Sequence, residues 1–273
     1  MIPIEFQTGA NSKLLTMEGR RHLGVKIDKL PGRELARGIR ARINSVIVAE
    51  KSAVADILEP TLPIRKEYVQ RVTSENLADF AAIWKLYEDS FVQDERRDLR
   101  SHSEIFADPY YEMHAVKWGE LVVGFIGVWN LQIDGQSWAF VEHMATHPAY
   151  RSRGIGKIVL NKIARDRNVV LEVERPEGTL PEDPKNRRIR FYEREGFYLN
   201  DQQSYPGFPQ FNYLQPSYGE DRNPVPLYLM TRPGPIKDET QFEALKDQIY
   251  KIVYGLADGK LPQSDLENAP NIN

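Results

Sequence analysis

None of the 273 residues is a cysteine, which excludes disulfides, thiolate metal ligands and a covalent cysteine nucleophile together. It leaves the redox compartment open, because a chain without thiols is indifferent to it. Long apolar runs are missing too. Nothing approaches the roughly 18 to 20 residues of a membrane span, and the opening MIPIEFQTGANSKLL lacks the charged-then-apolar layout of a secretory signal. A cytoplasmic protein without membrane contact or bound metal is the expectation. An excess of one charge is also absent. The formal net charge of −3 gives no general footprint for nucleic acid, so any such role would need a local patch. Two glycine-rich phosphate motifs fail as well. No Gly-x-x-x-x-Gly-Lys-Ser/Thr occurs, and Gly154-Ile155-Gly156 is followed by Val159 where a dinucleotide fingerprint needs its third glycine.

What remains is an ordinary globular composition, 41% apolar and 27% charged, divided into three zones. Residues 1–66 form an N-terminal extension that ends in the proline-marked stretch Glu59-Pro60-Thr61-Leu62-Pro63. Within it Leu35, Ile39, Ile43, Val46 and Ile47 recur at helical spacing among arginines, and Lys13 to Arg42 carries nine Lys/Arg against three acids. This basic helix either packs with its arginines in solvent or meets a nucleic acid, an anionic surface or a partner protein. Residues 67–232 alternate strands and helices. Strands are predicted at Tyr68 to Thr73, Met113 to Lys117, Leu121 to Leu131, Ser137 to Thr146, Val169 to Val173, Phe197 to Leu199 and Pro226 to Thr231. Helices are predicted from Ser74-Glu75 through Phe91, over Glu95 to Phe106, after Gly156 and over Arg187 to Glu195. That order gives an α/β fold in which helices flank a mixed, mostly antiparallel sheet. Residues 233–273 read as one amphipathic helix, with Phe242, Leu245, Ile249, Ile252 and Val253 on its apolar face, followed by a frayed tail.

The stretch Arg151-Ser152-Arg153-Gly154-Ile155-Gly156 stands directly before a helix. A helix N-terminus carries unsatisfied N–H donors and about half a positive charge, which together favour an anion. Glycines at 154 and 156 let the backbone wrap a diphosphate, and Arg151 adds charge.

Glu142-His143-Met144-Ala145-Thr146-His147-Pro148-Ala149-Tyr150-Arg151-Ser152-Arg153-Gly154-Ile155-Gly156-Lys157 resembles the acyl-CoA-binding motif of the GNAT superfamily of N-acetyltransferases, whose pattern is Arg/Gln-x-x-Gly-x-Gly/Ala. Downstream, Phe191-Tyr192-Glu193-Arg194-Glu195-Gly196-Phe197 is similar to the family's Phe-Tyr-x-x-x-Gly-Phe signature. The resemblance covers about Tyr68 to Arg232. It implies acetyl-CoA as co-substrate, its pyrophosphate held by amides from Arg153 through Gly154, Ile155 and Gly156 to Lys157. Its pantetheine arm would lie along the strand edge at Met144, Ala145 and Thr146. Many members place an asparagine seven residues before the signature tyrosine; that position is Lys185 here, and Asn186 follows it.

Transfer to an amine needs a neutral nucleophile, so a base must take the ammonium proton. Glu142 shares a strand face with Met144 and Thr146, and the resemblance places a base near this position. Glu172 and Glu174 on the next strand are rivals. The resemblance assigns Tyr192 to protonating the departing thiolate. His143, on the opposite face from Glu142, is expected under a helix, and Phe191 and Phe197 in the core. The aromatic-rich connection from Asn200 to Pro224 reads as a substrate lid or a clamp on the domain. The resemblance implies a primary amine on a small molecule or a protein as acceptor, and a homodimer is compatible with the sequence. Two alternatives stay open: a non-catalytic acyl-CoA-binding module, and an acetyltransferase brought to an RNA-associated or ribosomal target by the basic N-terminal zone.

Overall fold

In a computed structural model, the structure describes residues 69–73, 76–91, 96–97, 99–201, 212–216 and 224–267. The N-terminal extension and most of the aromatic connection, including Tyr205, Phe208, Phe211 and Tyr218, lie outside these residues.

Among the described residues, eight strands form one sheet: β1 (Val69–Val72), β2 (Tyr111–Trp118), β3 (Leu121–Ile133), β4 (Gln136–Thr146), β5 (Asn168–Glu174), β6 (Tyr198–Leu199), β7 (Tyr213–Gln215) and β8 (Val225–Arg232). Their order is β1-β2-β3-β4-β5-β8-β6, with β7 also pairing β8. β4 and β5 run parallel, whereas β1–β2, β5–β8, β6–β8 and β7–β8 are antiparallel. A parallel neighbour requires a crossover connection, and the helix after Gly154 supplies it. The mixed, mostly antiparallel sheet expected from the sequence is present.

The chain groups into two compact units. The first comprises the described parts of Lys26–Val128 together with His143–Lys162. It holds β1, β2, α1 (Leu77–Ser90), α2 (Leu99–Phe106) and a 3-10 turn at Pro148–Tyr150. It also holds nearly all of α3 (Ile155–Ile163). α1 buries Phe80, Ala81, Ile83, Trp84, Leu86 and Tyr87, the i, i+3, i+4 face that its sequence displays. The His143 ring meets Tyr87 and Phe91 at 4.9 and 5.0 Å, so it packs beneath a helix as expected.

The second unit comprises Trp129–Glu142 and the described part of Ile163–Asn273. Val169, Val170, Leu171 and Val173 make β5 its apolar spine, each burial stabilising by roughly 1.5–3 kcal/mol. α4 (Pro184–Arg194) starts three residues earlier than predicted because Asp183 caps it, accepting from the Lys185 amide, with proline at the first position. α5 (Glu239–Gln248) continues into a π turn at Ile249–Val253, and a short α6 (Gln263–Glu267) lies in the stretch read as tail. Two readings are corrected here. Tyr213 belongs to β7 rather than to a loop, and this short strand escapes prediction because three residues show no resolvable alternation. Phe197 is core, but Phe191 is only half-buried. Among the described residues no helix is long and apolar enough to cross a membrane.

Candidate active site

In the first unit, β4 ends at Thr146, and the His147 amide bonds the Val123 carbonyl at 2.9 Å. The His147 ring accepts from the Ala149 amide, and Pro148 sets the 3-10 turn. Residues 151–154 are all exposed. Ser152 and Gly154 both have positive φ, 61° and 77°, a reversal that leads directly into the first turn of α3. A Cβ at Gly154 would meet nothing within 4 Å, so glycine is there for its backbone angle and leaves the approach open. Ile155 is buried and anchors the helix start. Gly124 on β3 permits that anchoring: a Cβ there would lie 2.9 Å from Ile155 Cγ2 and 3.1 Å from the Ala145 carbonyl. Gly156 is half-buried and Lys157 exposed. Arg151 donates to the Thr146 carbonyl at 3.5 Å, and the Arg153 guanidinium lies 5.9 Å from the Tyr150 ring centroid. The first amides of α3 have no intrahelical acceptor. With open space before them and two exposed arginines beside them, they fit a diphosphate.

In the second unit, the parallel ladder runs from Trp138↔Asn168 to Val141↔Leu171. The next residues on the two strands are Glu142 and Glu172, both half-buried. Glu142 accepts from Trp129 Nε1 at 3.0 Å. Glu172 accepts from Tyr213 Oη, from Gln215 Nε2 at 2.7 Å, and from Tyr254 Oη at 3.0 Å to each of its oxygens. Although the residue keeps part of its surface exposed, its carboxylate is enclosed. Desolvation is the largest influence and raises its pKa from 4.5 to about 7. The Tyr213, Tyr254 and Gln215 hydrogen bonds pull the other way, and the Glu142 charge adds a further rise. Glu174 faces a different role: Arg188 binds it at 2.8 Å.

Tyr192 is buried on α4, its ring against Phe191 and Phe197 at 5.2 and 5.5 Å. Burial pushes its pKa up to about 12, which the Arg188 charge moderates. Asn186 donates its amide to the carbonyls of Gly178 and Leu180 at 2.7 and 3.1 Å, tying down the loop before α4.

The turn at 151–157 and the strand before it lie inside a stretch that matches a known family. A model of the acetyltransferase (GNAT) domain matches residues 109–199. A solved Bacteroides thetaiotaomicron protein described as a GNAT-family acetyltransferase is 31% identical, with a TM-score of 0.56 over 68% of this chain and 98% of that one. The chain belongs to the GNAT superfamily. As a GNAT protein it is an N-acetyltransferase. It is also similar, at lower identity, to Arabidopsis thaliana NAA60 in complex with acetyl-CoA (14%, TM-score 0.42, 60% of this chain and 96% of that one). The ribosomal-protein-S18-alanine N-acetyltransferase of Escherichia coli is another such structure (15%, TM-score 0.40, 63% and 96%). No curated protein matches.

Sequence reading of this GNAT chain missed Gln215 and Tyr254 as site residues and placed Tyr213 in a loop. A three-residue strand is too short for its alternation to be read, so the sequence held no usable signal for Tyr213 and Gln215. A tyrosine four residues after Tyr250, beside the apolar face of the last long helix, was the signal for Tyr254.

Proposed function

We propose that this GNAT chain transfers acetyl from acetyl-CoA to a primary amine by direct attack, with Glu172 taking the ammonium proton and Tyr192 supplying one to the departing thiolate. The observation that carries the reading is the pair Glu142 and Glu172 at the point where β4–β5 pairing ends. Two adjacent carboxylates attract a cationic amine. One of them, with its proton affinity near neutrality, can both accept and release a proton at working pH. Glu142, named from sequence as the base, acts in this scheme as the second carboxylate. Held by Trp129, it raises the proton affinity of its neighbour and adds to the attraction of the ammonium.

The thioester contributes an activated acyl group with a thiolate leaving group; the protein's own groups do the positioning and the proton transfers. The amides from Arg153 to Lys157, with the Arg151 charge, are suited to the pyrophosphate, and Met144, Ala145 and Thr146 offer a strand edge to the pantetheine amides. The Asn186 amide nitrogen is engaged by two carbonyls, so its side-chain oxygen is the atom available to the cofactor. A phenol that holds its proton to about pH 12 is fully protonated at working pH and has a proton to give as the carbon–sulfur bond breaks; the proton that the acylated nitrogen then loses restores the phenol.

The test follows thiol release from acetyl-CoA against a panel of primary amines, on small molecules and on peptide N-termini, with acetyl-CoA affinity measured by calorimetry. Turnover that E172Q and Y192F abolish while affinity is retained supports the assignment. Binding accompanied by turnover indifferent to Glu172 refutes it.

A further inference from the structure

Everything that touches the Glu172 carboxylate through a hydrogen bond, as described above, comes from outside residues 109–199, the part that matches the family domain. Tyr213 and Gln215 stand two apart on β7, so they project from the same face of that short strand. Tyr254 closes the π turn that continues α5, its amide bonded to the Ile249 carbonyl at 3.3 Å. A π turn inserts one residue per turn and re-aims the side chains beyond it, which is why such turns gather at functional sites. Here the re-aimed side chain is a tyrosine, 2% exposed, whose hydroxyl reaches both oxygens of one carboxylate. The three donors are themselves linked. Gln215 Nε2 also bonds Tyr254 Oη at 3.1 Å, and Tyr250 Oη bonds the Leu214 carbonyl at 2.6 Å, fixing β7 to the π turn.

We propose that Tyr213, Gln215 and Tyr254 are positioning residues that orient the Glu172 carboxylate for its encounter with the acceptor amine, so that β7 and the C-terminal segment are part of the catalytic apparatus. The proposal rests on the assignment of Glu172 as proton acceptor. A carboxylate at the end of a flexible side chain samples several rotamers, and fixing it removes that freedom before the substrate arrives. Fully satisfied buried networks of this type are rigid.

The cage also sets a balance. Enclosure and the Glu142 charge favour the protonated form; each donor favours the carboxylate. Among the described residues, the groups facing Glu172 are Glu142 from β4, Tyr213 and Gln215 from β7, and Tyr250 and Tyr254 from the π turn, while its cross-strand partner on β8 is the apolar Leu229. Removing one donor leaves the opposing influences in place, so the proton is held to higher pH.

The experiment is a pH titration of the full chain carrying carboxyl-13C glutamate, read by NMR, with E172Q used to identify the Glu172 resonance. Y254F, Y213F and Q215L are compared with the parent, and folding is checked from each amide spectrum. The expected result is an upward displacement of the Glu172 midpoint by about one pH unit in each folded variant, in keeping with loss of a hydrogen bond to a charged group. The acid limb of acetyl transfer should move with it, acetyl-CoA affinity being unchanged. Folded variants whose midpoint and acid limb coincide with the parent's overturn the proposal. If E172Q retains turnover, the proton-acceptor assignment fails instead, so the two failures are told apart.

Discussion

The turn at residues 151–157 and the cage around Glu172 differ in what they are made of. The turn presents backbone: exposed amides at a helix start, two positive φ angles and a glycine with empty space over its Cα. The cage presents side chains: a carboxylate enclosed by two tyrosines and a glutamine from segments 41, 43 and 82 residues away in sequence. A backbone site is tolerant of most side chains and intolerant of one changed angle. A side-chain site is retuned when any one donor is lost, because a buried polar group left unmatched is costly.

E172Q should show the largest effect, on the cage side. Loss of a general base lowers turnover by ~10²–10⁴, and acetyl-CoA affinity should be untouched because the turn is intact. Stability should move the other way. Folded Glu172 holds its proton to about pH 7 against 4.5 for the ordinary group, so between those values the native state binds more protons than the unfolded one. Stability therefore falls as pH rises through this window. Above it the burial of the charged carboxylate costs up to about 3 kcal/mol. Removing the charge in E172Q should raise the melting temperature at pH 8 and leave it little changed at pH 4. A variant equally destabilised at both would mean that the cage is a stabilising ion site instead.

The same difference explains what the sequence disclosed. Arg151, Gly154 and Gly156 lie within six consecutive residues because a backbone loop is a local object, and its requirement for glycine is written where it acts. β5 and α1 were likewise legible from unbroken apolar or 3.6-residue patterns. Glu172 could be named only as one of two rivals. What separates it from Glu174 is a hydroxyl on a three-residue strand and another beyond a π turn, against an arginine on α4. None of these relations has a fixed spacing. Helical periodicity continued through Ile252 and Val253 gives no sign that the helix turns to π and re-aims Tyr254.

Y192F comes next. If the phenol is the proton donor, turnover should fall by ~10² with binding retained. The ring itself packs on Phe191 and Phe197, so thermal stability should stay within about 1 kcal/mol of the parent. A rate close to that of the parent would remove Tyr192 from the chemistry and leave it a core aromatic.

Gly154→Val probes the turn, and here the effects should invert. A β-branched residue at φ +77° costs about 1–2 kcal/mol, with no steric clash to relieve since the space is open. Relaxation of that strain reorients the amides, so acetyl-CoA affinity should weaken about tenfold. Turnover at saturating acetyl-CoA should be preserved, because the Glu172 cage lies elsewhere in the chain. A fall in saturated turnover with unchanged affinity would erase the division of labour between the two regions.

Arg151→Ala should give the smallest change. Its side chain is exposed and, among the described residues, hydrogen-bonds the Thr146 carbonyl at 3.5 Å, so its main contribution is charge beside amides that already favour an anion. A solvated charge near a helix N-terminus contributes about 0.3–1 kcal/mol at low salt, which predicts a twofold to fivefold loss of acetyl-CoA affinity. That loss should vanish as ionic strength approaches ~1 M, where the screening length is about 3 Å. The Gly154→Val defect should persist under the same salt, since a backbone angle is not screened. Measuring both variants across one salt series separates the charge from the shape of the turn, and a salt-independent Arg151 effect would assign the arginine a structural bond instead.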